Sequence, residues 1–296
     1  MDDIVVVRAL VKTFGRTRAL DGLDLRVSEG EVHGFLGPNG AGKSTTLRVL
    51  LGLIRAQRGD VRVLGRDPWR DAVAVHADLA SVPGDVALWP ELSGGETIDL
   101  LTALRGGADR ALRDRLVRDF DLDTRKRARS YSKGNRQKVA LIAAFARPAR
   151  LYVLDEPTSG LDPLMEEVFR DEVRRVRADG ATVLLSSHLL AEVEALCDRV
   201  TIVRAGRVVE TGTIAEMRHL TRSAVSVRTH TPADRIAALD GVHDLVRDGD
   251  TLRFGAEPAA VAAVVAALDG HRVDALTIEP PSLEELFLRH YGREAR

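Results

Sequence analysis

Short apolar runs alternate with longer, periodically apolar segments along most of this chain. Continuous runs such as VHGFLG, LYVL and ATVLLSS have the length and composition of buried strands. Segments such as TTLRVLLGLI and RQKVALIAAFARP instead space their apolar residues as a helix does, and Pro148 predicts where the second of them stops. The pattern therefore predicts an α/β fold built on buried parallel strands.

The pattern changes after TGTIAEMRH. The segments SAVSVRTH and RVDALTIEP are typical of strands, PADRIAALDG and EPAAVAAVVAALDG of helices, and VHDLVRDGDTLRFGA of a hairpin that turns at DGD. The order β-α-β-β-α-β predicts a small α+β module of the ferredoxin-like type. It contains no cluster of metal ligands and no nucleophile with a base, so we expect a regulatory or dimer-stabilising role. We place the first domain at residues 1–217 and the second at residues 222–296.

Composition narrows the class of protein. A length of 296 residues suits about two domains, and 45% hydrophobic with 29% charged residues is typical of a soluble globular protein. A net charge of -1 gives no reason to expect nucleic acid as a partner. The longest apolar stretch, AAVAAVVAAL, is about half of the ~20 residues that span a bilayer. The start of the chain shows no secretory signal, so we expect a cytoplasmic protein in which Cys197 is a small buried residue.

The strongest motif is GPNGAGKST, which matches G-x-x-x-x-G-K-[ST] between a predicted strand and a predicted helix. Its glycines let backbone N–H groups surround a phosphate, and the helix directs its positive end at the same anion. Lys43 would pair with the β- and γ-phosphates, and the Ser44 hydroxyl would bind Mg²⁺. The predicted nucleotide-binding residues of this loop are Gly37, Pro38, Asn39, Gly40, Ala41, Gly42, Lys43, Ser44 and Thr45.

Two carboxylates follow the buried run LYVL, at the end of a strand where α/β sheets place their ligands. Asp155 would hold Mg²⁺, and Glu156 would act as general base on the attacking water. An acidic helix cap is the alternative, and the preceding phosphate loop makes it the weaker one. A third strand ends at His188, which would sense the γ-phosphate. A histidine at a strand end is often structural, and only its order in this series favours a function.

These motifs resemble those of the nucleotide-binding subunit of an ABC transporter, over residues 1 to about 215. GPNGAGKST resembles the Walker A motif, LYVLDE the Walker B motif, SGLD the D-loop that ends at Asp162, and His188 the switch histidine. The resemblance implies a P-loop NTPase with a RecA-like core, a helical subdomain at about 86–148, and ATP with Mg²⁺ as cofactors. It also implies that Phe14 stacks on adenine, although a core phenylalanine is nearly as good an interpretation.

Two stretches compete for the family's signature motif, LSGGQ. LSGGE at residues 92–96 differs from it by one letter, whereas YSKGN at residues 131–135 differs at three. In the family the signature opens a helix that leads almost directly into the Walker B strand, and only YSKGN has that place. We therefore predict that Ser132, Gly134 and Asn135 bind a γ-phosphate, while LSGGE only begins a helix. Lys133 would either place an extra cation near the phosphate or point to solvent.

A site of this design is incomplete in one subunit. The resemblance implies a head-to-tail homodimer with each ATP between the phosphate loop of one copy and residues 132–135 of the other. It also implies a separately encoded membrane permease, which would hold the subunit at the inner face of the cell membrane. The ending PPSLEELFLRHYG resembles the tail of ATPase subunits of bacterial ABC-2-type drug-resistance exporters, so we expect export of drugs, antibiotics or lipids.

One family residue is missing. The family's glutamine after the strand that precedes the helical subdomain is Gly84 here, in the stretch LASVPGDVALWPEL. Gln57 and Gln137 are the only glutamines of the chain, and neither has the right place. Asp85 is a hard oxygen ligand that would take over the contact with Mg²⁺, with an ordinary PGD turn as an equal alternative. Trp89 and its apolar neighbours would anchor the permease, unless they are buried in the chain's own core.

Two other functional classes stay open at this stage. A soluble ABC protein that acts on ribosomes or DNA usually carries two cassettes or a long coiled-coil insertion, and this chain shows neither. A cassette that binds ATP without turnover would explain Gly84 and the altered signature. Retention of Lys43, Asp155, Glu156 and His188 argues against it.

Overall fold

A computed structural model describes residues 3–219 and 222–279 of the chain. The chain divides into two compact units, Met1–Thr211 and Gly212–Arg296. The strands are β1 (Asp3–Phe14), β2 (Thr17–Ser28), β3 (Val32–Leu36), β4 (Arg58–Val63), β5 (Leu79–Val82), β6 (Leu151–Asp155), β7 (Thr182–Ser187), β8 (Arg199–Arg204), β9 (Arg207–Thr213), β10 (Ser223–Thr229), β11 (Val242–Asp248), β12 (Thr251–Ala256) and β13 (Val273–Glu279). The helices are α1 (Lys43–Leu50), α2 (Ala72–Ala77), α3 (Gly94–Ala103), α4 (Arg110–Asp119), α5 (Lys133–Phe145), α6 (Pro163–Ala178), α7 (Leu190–Leu196), α8 (Ile214–His219), α9 (Ala233–Ala237) and α10 (Val261–Leu268).

A six-stranded sheet with the order β5-β6-β7-β3-β8-β9 forms the centre of the first unit. The pairs from β5 through β8 are parallel, and every residue of β3 and β7 is buried. Burial on both faces explains why these strands appear in the sequence as uninterrupted apolar runs. The register pairs Leu36 with Ser187 and Asp155 with Ser186, so the carboxyl ends of β3, β6 and β7 lie level with one another.

A smaller antiparallel sheet with the order β2-β1-β4 packs into the same core. Buried and exposed residues alternate along much of β2, as expected for a strand with one face on the core. Leu10, Leu20 and Leu23 of this sheet are completely buried and share one hydrophobic cluster with Phe35 of β3 and Leu50 of α1. The core therefore holds the strand and the helix on either side of the phosphate loop.

Helices α3, α4 and α5 all lie within residues 86–148, the segment predicted as a helical subdomain. Helices α3 and α4 both contact α5, which in turn contacts β5 of the central sheet. Helix α5 buries Gln137 and every residue from Val139 to Phe145. Its last residue, Phe145, stacks on Tyr152 of β6 with ring centroids 5.2 Å apart. The start of α5 is thereby held in a defined place relative to the central sheet.

The second unit has the element order β-α-β-β-α-β that its sequence predicted. Its sheet has the order β11-β12-β10-β13, and each neighbouring pair is antiparallel. Val225, Val227, Leu252, Phe254 and Val264 form its core. Classification as ferredoxin-like, the domain boundaries at 217 and 222, and a regulatory role stay predictions.

Three further expectations concern Cys197, membrane-spanning helices and the C-terminal tail. Cys197 is buried as predicted, and burial raises the pKa of its thiol well above the usual range. Among the described residues, no helix is both long and apolar enough to cross a bilayer. The tail PPSLEELFLRHYG lies outside the described residues.

Candidate nucleotide site

The phosphate loop joins the buried strand β3 to helix α1. Gly40 and Gly42 have positive φ angles of 81° and 109°, a conformation that glycine adopts without a Cβ penalty. A Cβ at Gly37 would collide with the carbonyl oxygen of Val203 on β8. The local sequence is therefore required for the tight curl of this loop against the sheet.

The N-terminus of α1 carries no side-chain cap. The helices α3, α4, α5 and α6 all have a side chain that accepts from a backbone N–H of the first turn. The N-cap residue of α1 is Gly42, which has no side chain that could accept such a hydrogen bond. The first N–H groups of a helix have no intrahelical acceptor, so the start of α1 is left able to bind an anion.

Lys43 is a buried cation whose nearest acceptors are backbone carbonyls. Its side chain is 6% exposed, and its ammonium donates to the carbonyl oxygens of Gly37 at 2.6 Å and Pro38 at 3.3 Å. Burial lowers the pKa of Lys43, and the carboxylates of Glu156 and Asp155 offset only part of that effect. The ammonium is held in place by the loop, and an added anion would stabilise its charge.

Glu156 lies where the three strand ends meet. Its Oε1 is 3.8 Å from the Lys43 Nζ and 3.4 Å from the His188 Nδ1. Its backbone N–H donates to both the carbonyl and the hydroxyl oxygen of Ser186, at 3.1 Å each. Its φ angle of 47° is unusual for a residue with a side chain, and such strain is concentrated at functional sites. The predicted base, cation and histidine are thus brought together.

Asp155 stands at the end of β6, and the Ser186 hydroxyl donates to its Oδ1. Ser186 therefore orients both acidic residues, a role that the sequence did not indicate because serine is common in strands and near turns. The cavity beside these residues is also lined by Ser44, Gly84 and Asp85. A Cβ at Gly84 would lie 3.2 Å from the Asp155 Oδ2, so the loop passes directly over this carboxylate.

Both glutamines are engaged away from this cavity. The Gln57 amide exchanges two hydrogen bonds with the backbone of Thr13, at 2.9 and 2.8 Å. Gln137 is buried and donates to the carbonyl oxygen of Pro157 at 2.8 Å. The described residues hold no group of three or more His, Cys, Asp or Glu side chains placed to bind a metal by themselves.

Phe14, at the end of β1, is 49% exposed. The Lys12 ammonium lies 5.0 Å from the centre of its ring. The alternative of a core phenylalanine is therefore wrong, and the ring is accessible for stacking. Its contact with adenine stays a prediction.

Residues 132–135 begin helix α5, as predicted for a signature motif. The Ser132 hydroxyl accepts from the Asn135 N–H at 3.3 Å. Gly134 passes so close to the D-loop that a Cβ would collide with the carbonyl oxygen of Gly160. Lys133 is exposed and donates to the Ser159 hydroxyl at 2.7 Å, and its placement near a γ-phosphate stays a prediction.

The D-loop continues directly into α6. Asp162 caps this helix by accepting from the Met165 N–H at 3.1 Å. Its nucleotide-binding role stays a prediction, since the carboxylate already has this structural use. Within the described residues, no hydrogen bond or ion pair joins the segment 132–135 to the phosphate loop of the same chain.

LSGGE begins helix α3, as predicted. The Ser93 hydroxyl accepts from the Glu96 N–H at 3.2 Å, and the Glu96 carboxylate accepts from the Ser93 N–H at 2.7 Å. This reciprocal pair is a capping box, which closes the start of the helix. Nearby, Trp89 is 49% exposed, so its burial in the core is wrong.

The comparisons with known proteins agree with this geometry. The family model described as "ABC transporter" matches residues 20–159. The daunorubicin resistance ATP-binding protein DrrA3 of Streptomyces coeruleorubidus is 38% identical over 309 aligned residues, which cover 100% of this chain and 98% of the relative.

Two solved structures share the fold. The ATP-binding subunit of an ABC transporter superimposes with a TM-score of 0.68 at 32% identity, over 73% of this chain and 92% of that one. The dimeric ATP-binding cassette MJ0796, in a post-hydrolysis state with ADP and Pi, has a TM-score of 0.63 at 23% identity, over 71% of this chain and 98% of that one. Because the chain is 38% identical over its whole length to an ATP-binding drug-resistance protein, and 32% identical over 73% of its length to the ATP-binding subunit of an ABC transporter, it belongs to the ABC transporter family as one of its ATP-binding ATPase subunits.

Proposed function

We propose that this ATPase drives a separately encoded membrane permease that exports drugs, antibiotics or lipids. The observation that carries the ATPase half is the convergence of Lys43, Glu156 and His188 at three level strand ends. The exporter half is supported by the full-length relative, whose name is a daunorubicin resistance protein. The subunit would lie at the inner face of the membrane through this permease.

The phosphate loop fits a nucleotide. Its buried ammonium and the uncapped start of α1 both face the space where β- and γ-phosphates would lie. Ser44 and Asp155 line one cavity and would hold Mg²⁺ together with the phosphates. When bound, Mg²⁺ neutralises charge on the β- and γ-phosphate oxygens. Phe14 would stack on the adenine ring.

Glu156 would take the proton of the attacking water. Its carboxylate stands between a fixed cation and an imidazole, and two hydrogen bonds from its N–H to Ser186 hold its backbone. A carboxylate can accept this proton when the water lies within hydrogen-bond reach of it. His188 would contact the γ-phosphate from the same side.

The site would be completed by a second copy of the chain. Among the described residues, no hydrogen bond or ion pair joins residues 132–135 or Asp162 to the phosphate loop of their own subunit. We propose that they bind the γ-phosphate held by the partner in a head-to-tail homodimer. ATP would then stabilise the closed dimer, and hydrolysis would release it, because a ligand shifts an equilibrium by its unequal affinity for the two states.

Asp85 would supply the Mg²⁺ contact that the family's glutamine makes. Its loop lines the cavity with Ser44 and Asp155, and Gly84 leaves no room for a long side chain beside the Asp155 carboxylate. Replacing Asp85 by Ala should raise the Mg²⁺ concentration needed for half-maximal ATPase activity. An unchanged Mg²⁺ profile would mean that Asp85 belongs only to a turn.

The main test is Glu156→Gln, which removes the base and keeps the shape of the side chain. We expect ATP hydrolysis to fall by at least about 10²-fold and an ATP-bound dimer to accumulate in size-exclusion chromatography. Glu167→Gln, at an exposed position of α6, is the control and should hydrolyse ATP normally. Normal turnover in Glu156→Gln would show that the assigned base is wrong.

The exporter role has its own test. The chain and the product of a neighbouring gene with about six apolar segments would be expressed together in a drug-sensitive bacterium. We expect daunorubicin efflux that is lost with Lys43→Ala. The exporter proposal fails if no such neighbour exists, or if co-expression leaves efflux unchanged. The ATPase assignment stands in either case.

A further inference from the structure

Glu192, on helix α7, is a buried carboxyl group without a charged partner. Its side chain is 5% exposed, and among the described residues it forms no ion pair and its Oε1 has no hydrogen-bond partner. Burial raises the pKa of Glu192; Ser187, Thr158 and Arg170 work in the opposite direction, and Glu166 reinforces the rise. Burying such a group costs stability, so its presence calls for an explanation.

The second carboxyl oxygen of Glu192 holds the turn that carries the switch histidine. The Ser187 hydroxyl donates to the Glu192 Oε2 at 2.6 Å and accepts from the Leu189 N–H at 2.9 Å. A serine hydroxyl has only one proton. Donating it to Glu192 leaves a lone pair of the same oxygen for the Leu189 N–H. Glu192 thereby sets the hydrogen bonds on both sides of His188.

His188 depends on this support. Its side chain is 51% exposed, so packing alone does not hold the imidazole at 3.4 Å from the Glu156 Oε1. The Glu192 carboxyl also lies beside Thr158, a buried residue two positions after Glu156. The carboxyl is therefore placed between the two segments that carry Glu156 and His188.

We propose that Glu192 is a positioning residue that holds His188 toward Glu156 through the Ser187 hydroxyl. This inference rests on the roles proposed above for Glu156 and His188. Glu192 contacts no nucleotide in this scheme and acts only through the turn at the end of β7. Burying the carboxyl lowers stability, and the residue is retained because the turn needs a strong acceptor at this position.

The test compares Glu192→Leu with Glu192→Gln. Leucine fills the space but removes the acceptor, and we expect kcat to fall about tenfold while the KM for ATP changes by less than about twofold. The melting temperature should change little, because the gain from removing a buried carboxyl without a cation offsets the loss of the Ser187 hydrogen bond. Glutamine keeps an amide oxygen that accepts from Ser187, and it should restore most of kcat.

A purely structural role would lower the melting temperature and kcat together, and that outcome would overturn the proposal. Ala195→Leu, at an exposed position of the same helix, is the control and should keep wild-type turnover. Wild-type kcat in Glu192→Leu would also overturn the proposal, but it would not contradict the roles proposed for Glu156 and His188.

A double variant tests the route of the effect. If Glu192 acts through His188, Glu192→Leu should cause no further loss of kcat in a His188→Ala background. A second tenfold loss there would overturn the proposal. Wild-type turnover of His188→Ala alone would overturn both the role proposed for His188 and this inference, so the two failures are distinguishable.

Discussion

Residues 93–96 and residues 132–135 begin their helices in the same way and differ at two charged positions, since Glu96 corresponds to Asn135 and Gly94 to Lys133. Each has a serine N-cap that accepts from the N–H three residues later. In α3 that third residue is Glu96, whose carboxylate reaches back to the cap. In α5 it is Asn135, and the first turn of this fully described helix has no acidic residue. The start of α3 is already neutralised, whereas the start of α5 keeps its positive end for a phosphate.

The two stretches also require glycine for different reasons. Gly94 is required because a Cβ there would collide with the hydroxyl group of Tyr131, the first residue of YSKGN. Gly134 is required because the D-loop passes over it at Gly160. Gly94 therefore has a packing cause, and a short string that contains glycines does not by itself identify a site.

Replacing Asn135 by the acidic residue that α3 has at the same position should have the largest effect. Asn135→Glu would give α5 its own capping box, with the carboxylate at the proposed γ-phosphate position. We expect ATPase activity to fall by about 10²-fold or more, with the ATP-dependent dimer lost in size-exclusion chromatography and the fold retained. Asn135→Gln, which adds length without charge, is the control. Substantial activity in Asn135→Glu would break the comparison.

Adding a methyl group to each glycine should separate packing from chemistry. Gly134→Ala and Gly94→Ala should each lower the free energy of unfolding by about 1–3 kcal/mol, because both sites are already in contact. Only Gly134→Ala should also lower the ATPase rate of the folded protein. Denaturant unfolding and steady-state turnover measure the two effects, and equal turnover in both variants would contradict the assignment.

Removing the serine cap of each helix tests the same difference between α3 and α5, with a smaller expected effect. Ser93→Ala and Ser132→Ala should each cost about 1 kcal/mol of stability. We expect turnover to fall only in Ser132→Ala, since its hydroxyl and the helix start are the proposed phosphate contacts. A loss of turnover in Ser93→Ala, measured at a temperature where the protein is folded, would not fit.

The smallest effect concerns pH. The Ser93 N–H and hydroxyl lower the pKa of Glu96. A lowered folded-state pKa means that this stabilisation is present above the ordinary Glu pKa of about 4.3 and is lost as pH falls through the lowered value. The stability difference between wild type and Glu96→Gln should therefore shrink on acidification through this window, as thermal unfolding would show. A difference that grows with acid would reverse the sign of the argument.

Much of the fold was predictable because its signals are local. Uninterrupted apolar runs identified β3, β6 and β7, and apolar spacing identified α1 and α5, since both follow from burial on two faces or on one stripe. The position of YSKGN before the Walker B strand distinguished it from LSGGE. Individual side-chain contacts were not predictable. Lys133 with Ser159, Ser186 with Asp155, and Glu192 with Ser187 depend on side-chain directions that the apolar pattern does not encode.

The sequence by itself determined the phosphate loop, the acidic pair, the order of strands and helices, and the family, because each is written in neighbouring residues. Tertiary structure alone decided that Phe14 and Trp89 are exposed, that Lys133 is engaged with the D-loop, and that Gly84 lies against Asp155. It also placed the carboxyl of Glu192 beneath the His188 turn. The physical reason is that exposure and close approach are set by how β3, β6 and β7 are ordered in the sheet, and that order brings together residues more than a hundred positions apart.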